Sequence, residues 1–80
     1  MKSINVKYFA MFRELAGKES ESLQVDCETY SDLYAFLSNK YQFLLPLEMV
    51  QLAVNDEFSQ HGHKVRDGAD VVFIPPVAGG

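Results

Sequence analysis

The 80-residue chain has a single cysteine, Cys27, and no tryptophan. One cysteine makes no internal disulfide and no structural zinc site, which suits a reducing compartment. The five glycines stand singly until the final pair, so no glycine-rich phosphate loop is written into the chain. No apolar run approaches the roughly 20 residues that cross a bilayer. The start, Met1-Lys2-Ser3-Ile4-Asn5, carries no apolar signal segment and predicts a cytoplasmic chain. Cationic residues are scarce: seven Lys and Arg stand against eleven Asp and Glu, for a net charge of −4. That balance argues against nucleic acid and anionic membrane as partners and is compatible with a basic protein surface.

What is present is apolar. Hydrophobic residues make up 48% of the chain, with six Phe and four Tyr, enough for a folded core. The length allows one domain, and a chain of this size buries only about 60% of its unfolded surface, so each large side chain matters.

Ile4, Val6 and Tyr8 alternate with Asn5, Lys7 and Phe9, the period of a half-buried strand. Continued alternation puts Phe9 on the outer face with Lys7; an early end to the strand would turn it inward. Ala10 to Ala16 reads as a short helix with Met11, Phe12 and Leu15 at apolar spacing, Arg13 and Glu14 on its polar side, and Gly17 as C-cap. After a polar turn at Lys18 to Ser22, the alternation of Glu21, Leu23 and Val25 predicts a second strand, paired antiparallel with the first. Cys27 reads as a small, partly buried apolar residue, since Asp26 and Glu28 have the wrong sign to activate a thiol.

Thr29-x-x-Asp32 resembles a capping box opening the main helix. Leu33, Phe36 and Leu37, with Tyr30 and Tyr41 nearby, are the expected core stripe, ending near Asn39 to Tyr41. The connector Gln42 to Val50 is too apolar for free coil and predicts packing over the core, with a short turn at Leu47 to Met49. Gln51 to Val54 reads as a third strand and Asn55-Asp56 as a turn tolerant of positive φ. Ser59 to Lys64 is a polar loop and Asp67-Gly68 a further turn. Val71 to Ile74 is apolar on both faces, so it is buried on both sides, or buried on one and sticky on the other. If the apolar first and last strands pair side by side they run parallel, with the helix across one face. That arrangement is α+β, the ubiquitin-like β-grasp, with residues 1–74 as the domain and 75–80 as an extended tail.

Chemistry-bearing residues are few. His61-Gly62-His63 lacks companion ligands, so a metal site is not expected. No Ser-His-Asp or Cys-His arrangement and no acid/base carboxylate pair is apparent, and no cofactor is expected on this chain. The tail, Pro75-Pro76-Val77-Ala78-Gly79-Gly80, is the chemically suggestive stretch. The prolines stiffen its approach, and glycines without Cβ admit the backbone to a narrow slot. A frayed end of small residues is the alternative. A carboxylate is a poor electrophile, but adenylation by ATP would open it to attack by sulfur or an amine. Val77 to Gly80 would reach roughly 13 Å at about 3.3 Å per residue.

The segments Val6-Lys7-Tyr8-Phe9-Ala10-Met11-Phe12-Arg13-Glu14-Leu15-Ala16-Gly17, Leu52-Ala53-Val54-Asn55 and Asp67-Gly68-Ala69-Asp70-Val71-Val72-Phe73-Ile74 leading into the tail resemble the small, sulfur-carrying subunits of molybdopterin synthases. The resemblance implies a cytoplasmic protein of molybdenum cofactor biosynthesis that is not catalytic alone and works within a heterotetramer. An adenylating enzyme would use ATP to activate Gly80, which would become a thiocarboxylate. Gly79 would give the tip access to the large subunit's active site, where sulfur passes to cyclic pyranopterin monophosphate. A docking surface is implied at Phe9, Arg13, Phe58 and Ile74, continued by Pro75, Pro76 and Val77. Ile74 stands where the family often has an aromatic, and Phe58 where it often has an aliphatic. Sulfur delivery to a thiamine thiazole, isopeptide formation in the manner of ubiquitin, and a non-reactive binding module are the competing functions.

Overall fold

A computed structural model describes residues 1–76. The chain runs β1 (Lys2–Tyr8), α1 (Ala10–Ala16), β2 (Ser20–Val25), α2 (Tyr30–Tyr41), a 3-10 turn (Leu47–Met49), β3 (Gln51–Val54), β4 (Glu57–Ser59) and β5 (Asp70–Ile74). The strands form one mixed sheet in the order β2-β1-β5-β3-β4. β1 and β5, the apolar first and last strands, pair in parallel, and the other pairings are antiparallel. Two strands so distant in sequence lie side by side because each has an apolar face to bury, and β5 in the middle has both its edges paired.

One face of the sheet meets the helices. Val6, Val71 and Val54 lie in one cross-strand row there, and Tyr8, Phe73 and Leu52 in the next. All six are buried. Phe12 and Ala16 from α1, and Tyr30, Leu33, Tyr34 and Leu37 from α2, close over these rows.

Local signals set the element ends. Gly17 caps α1 at φ 74, and its N–H donates to the Arg13 carbonyl. The capping box of α2 is formed: Thr29 Oγ1 accepts from the Asp32 N–H and Asp32 Oδ2 from the Thr29 N–H, both at 3.2 Å. Asn55 and Asp56 take φ 52 and 69, which turns β3 into β4.

The expected stripe of α2 needs correction. Phe36 is 44% exposed, and Tyr34 is buried in its place. At 100° per residue, Tyr30, Leu33, Tyr34 and Leu37 fall within an arc of about 100°, whereas Phe36 lies roughly 110° from its centre. On α1, likewise, Met11 and Leu15 face solvent while Phe12 and Ala16 face the core. The connector packs as its composition demands: Phe43 is buried, Leu45 and Leu47 pack against the core, and Tyr34 Oη donates to the Leu45 carbonyl at 2.7 Å.

The His61–His63 loop does structural work in addition to meeting solvent. The His61 and His63 carbonyls accept from the Ser31 and Tyr30 N–H groups, satisfying donors at the start of α2. His61 Nε2 donates to the Val50 carbonyl at 2.7 Å, tying the loop to the base of β3.

Candidate protein-docking site

Among the described residues no helix covers the second face of the sheet. Its composition follows from register, because residues directly opposite one another share a face. Ser20, Lys7, Val72, Ala53 and Phe58 form one row across all five strands. Ile74 and Gln51 pair in the next row. Phe9 follows Tyr8 in extended conformation at φ −124 and ψ 151, so it continues the outward alternation one residue past the Tyr8–Phe73 pair, as Ile74 does on β5. The result is an apolar strip of Phe9, Ile74, Val72, Ala53 and Phe58. Phe58 is 76% exposed and Phe9 44%, while Ile74, Val72 and Ala53 are partly buried.

The strip ends on one side at a polar row. Ser22 Oγ donates to Asn5 Oδ1 at 2.7 Å, and Asn5 Nδ2 donates to Asp70 Oδ1 at 3.1 Å. The Asp70 N–H donates to Asn55 Oδ1 at 2.9 Å. These groups satisfy one another. At the other side the strip meets the root of the tail. Pro75 is buried and Pro76 exposed, and with Ile74, Met49 and Gln51 they line a hollow. The tail therefore departs from the edge of the apolar strip. Val77, Gly79 and Gly80 lie outside the described residues.

Arg13 sits on α1, where it lines a second hollow with Phe9, Lys7 and Glu19. Its Nη1 is 3.7 Å from Glu19 Oε1, and both side chains are well exposed. Such a pair holds little energy in water, so the guanidinium is only weakly held to Glu19. In a chain of net charge −4, Arg13 and Lys7 place two cations at the rim of the apolar strip.

The structure thus brings Phe9, Arg13, Phe58, Ile74, Pro75 and Pro76 to one side of the molecule. Val72 and Ala53 complete the strip, beyond the docking residues that the resemblance implies. The two-faced apolar run at Val71–Ile74 was the signal for Val72. Ala53 had none, since its place between Val72 and Phe58 depends on long-range register.

Other reactive groups are quiet. Burial pushes the Cys27 thiol up, and the neighbouring Asp32 and Asp26 carboxylates add to the shift, so it stays protonated near neutrality. Among the described residues no group of His, Cys, Asp or Glu is placed to hold a metal ion, and no helix is long and apolar enough to cross a membrane. One carboxylate does stand out. Glu21 accepts hydrogen bonds from Tyr8 Oη and Tyr41 Oη on one oxygen, and Lys18 Nζ lies 3.4 Å from the other. Burial would raise its pKa, but the hydrogen bonds from Tyr41, Tyr8 and Lys18 outweigh burial and hold it below the usual glutamate value. Burial pushes the Tyr8 phenol up, and the adjacent Glu21 carboxylate pushes it further.

A mixed sheet grasping one main helix, with an open apolar face that runs into a proline-stiffened segment, defines a protein of the ubiquitin-like β-grasp class. The fold is shared with SAMP1 from Haloferax volcanii, at a TM-score of 0.79 and 25% identity, covering 98% of this chain and 99% of that one. It is shared too with a chain in the complex of subunits 1 and 2 of the molybdopterin-converting factor from Helicobacter pylori, at a TM-score of 0.66 and 23% identity, covering 98% and 99%. Residues 6–80 match the model of the ThiS family. The molybdopterin synthase sulfur carrier subunit of Escherichia coli is 34% identical over 80 residues, covering 96% of this chain and 99% of that protein. The chain belongs to the ThiS family and, within it, to the family of the molybdopterin synthase sulfur carrier subunits.

Proposed function

We propose that this chain is the sulfur carrier of a molybdopterin synthase and that it works in the cytoplasm. The observation that carries the proposal is the continuity between the apolar strip and the root of the tail. A partner that covers Phe9, Val72, Ile74 and Phe58 necessarily sits where the chain leaves Pro76. In this reading an adenylating enzyme joins the Gly80 carboxylate to the α-phosphorus of ATP and releases pyrophosphate. Sulfide-level sulfur, delivered as hydrosulfide, then attacks the acyl carbon, the acyl–oxygen bond breaks to release AMP, the S–H proton is lost, and Gly80 ends as a thiocarboxylate. Docked on the large subunit, in a heterotetramer, the tail inserts that sulfur beside cyclic pyranopterin monophosphate. The body of this chain supplies affinity and registration, while the pterin site belongs to the partner. Gly79 serves access, because a residue without Cβ passes a narrower channel.

Deleting Gly80 tests the proposal. The truncated chain should fold and bind the large subunit as before, yet yield no molybdopterin in a reconstituted synthase. Product formation at the normal rate would overturn the carrier role. The likeness to SAMP1, a small archaeal modifier protein, motivates a second reading in which Gly80 forms an isopeptide. Incubation with the adenylating enzyme, ATP and a sulfur donor separates the two. Exchange of oxygen for sulfur at the terminus supports the carrier, and attachment to lysines supports the modifier.

A further inference from the structure

Glu21 is out of place for a sheet of this kind. By register it lies opposite Val6, on the face that the helices cover, and its side chain is only 11% exposed. A carboxylate taken out of water is a poor source of stability even when well paired. Its partners, however, come from both ends of the segment that joins β1 to β2. Tyr8 ends β1 just before Phe9, and Lys18 lies just past the Gly17 cap of α1. The third partner, Tyr41, is the last residue of α2, and its ring meets Tyr8 edge-to-face at 5.8 Å. Lys18 Nζ also sits 5.6 Å from the centre of the Tyr41 ring. The Tyr8 N–H donates to the Glu19 carbonyl at 2.8 Å, closing the base of the same segment.

That segment carries Phe9 and Arg13, and it begins under strain. Ala10 holds φ 50, a left-handed conformation that an L-residue keeps only where its surroundings fix it. Tyr8 anchored inward obliges its neighbour Phe9 to point outward, because successive side chains on extended backbone alternate.

We propose that Glu21 is a positioning residue for docking: its carboxylate ties Tyr8, Lys18 and Tyr41 together and so holds the 9–17 segment in the form that presents Phe9 and Arg13 to the large subunit. The proposal rests on the docking role assigned above. The groups facing the carboxylate are Tyr8 from β1, Lys18 from the turn and Tyr41 from α2, with the Lys40 ammonium beyond the Tyr41 ring.

The test compares the full-length chain with Glu21→Gln and Tyr41→Phe for binding to the purified large subunit by calorimetry, with backbone hydrogen exchange on the free proteins. Glu21→Gln keeps shape and an acceptor but drops the charge. It should bind about tenfold more weakly at pH 7, ~1.4 kcal/mol, with faster exchange over residues 9–19 and unchanged exchange in β3 and β5. Tyr41→Phe should lie between the two. Because acid protonates Glu21, the wild-type to Glu21→Gln affinity ratio should fall toward one as the pH is lowered. Phe58→Ala, far from the carboxylate, reports on the docking face by itself. If Phe58→Ala weakens binding while Glu21→Gln binds as tightly as wild type, or weakens it by the same factor at every pH, Glu21 is a structural group only and the proposal is overturned. If neither substitution changes affinity, the docking face is misassigned and the proposal falls with it.

Discussion

Phe58 offers the sharpest test of the docking face. It stands 76% exposed on β4, an edge strand of three residues, opposite Ala53. An enclosed aromatic side chain buries at least about 150 Å², so roughly 110 Å² of Phe58 is open to be covered. At about 25 cal/mol per Å² that area is worth ~2.8 kcal/mol. Association never recovers area in full, since ordering and imperfect desolvation take a share. A loss of about 2 kcal/mol, near 30-fold in Kd, is therefore expected for Phe58→Ala. Phe58→Asp should exceed roughly 100-fold, because it also sets a carboxylate against an apolar surface. Stability should barely move, by about 0.5 kcal/mol or less, because so little of the ring touches this chain. Calorimetric titration against the large subunit, with a thermal melt of each variant alone, measures both quantities. An affinity within twofold of wild type would refute the assignment of the face. A large drop in melting temperature would refute the claim that Phe58 is free of the core.

The remaining expectations concern stability. Glu21 has a depressed pKa in the folded chain, so the unfolded chain binds more protons in acid. Its contribution is present above the ordinary glutamate value of 4.5 and is lost as the pH falls through the folded pKa. Tyr8 has a raised pKa, so its contribution is present below the ordinary value of 10.0 and is lost as the pH rises beyond it. Urea midpoints followed across pH should therefore fall at both ends, with Glu21→Gln flattening the acid limb and Tyr8→Phe the alkaline one. Unchanged limbs in these variants would assign the pH dependence to other groups. At Ala10, φ 50 predicts that Ala10→Val costs about 1–2 kcal/mol. Ala10→Gly should stabilise by up to ~1 kcal/mol, the relief of strain being partly offset by glycine's backbone entropy. A melting order other than Gly above Ala above Val at this position would show that Ala10 is not strained.

Short-range patterns in the sequence determined a good deal. The Thr29–Asp32 box, the Gly17 cap, the Asn55-Asp56 turn and the β3 boundaries at Gln51 and Val54 depend on residues within a few positions of one another. The alternation of Ile4, Val6 and Tyr8 placed Phe9 on the outer face as soon as the backbone stayed extended past Tyr8. Tertiary structure decided what such patterns leave degenerate. Phe36 and Tyr34 flank the line of Leu33 and Leu37 on α2 at equal angles, and the sheet, by covering Tyr30 as well, selects Tyr34. Glu21 reads as an ordinary polar position until Tyr8 and Tyr41, distant along the chain, meet on its carboxylate. The docking strip is the clearest case. Lys7, Val72, Ala53 and Phe58 become a row only through the pairing of β1, β5, β3 and β4. That register is set by the need of every inward side chain to be buried at once, a condition no single stretch of sequence can express.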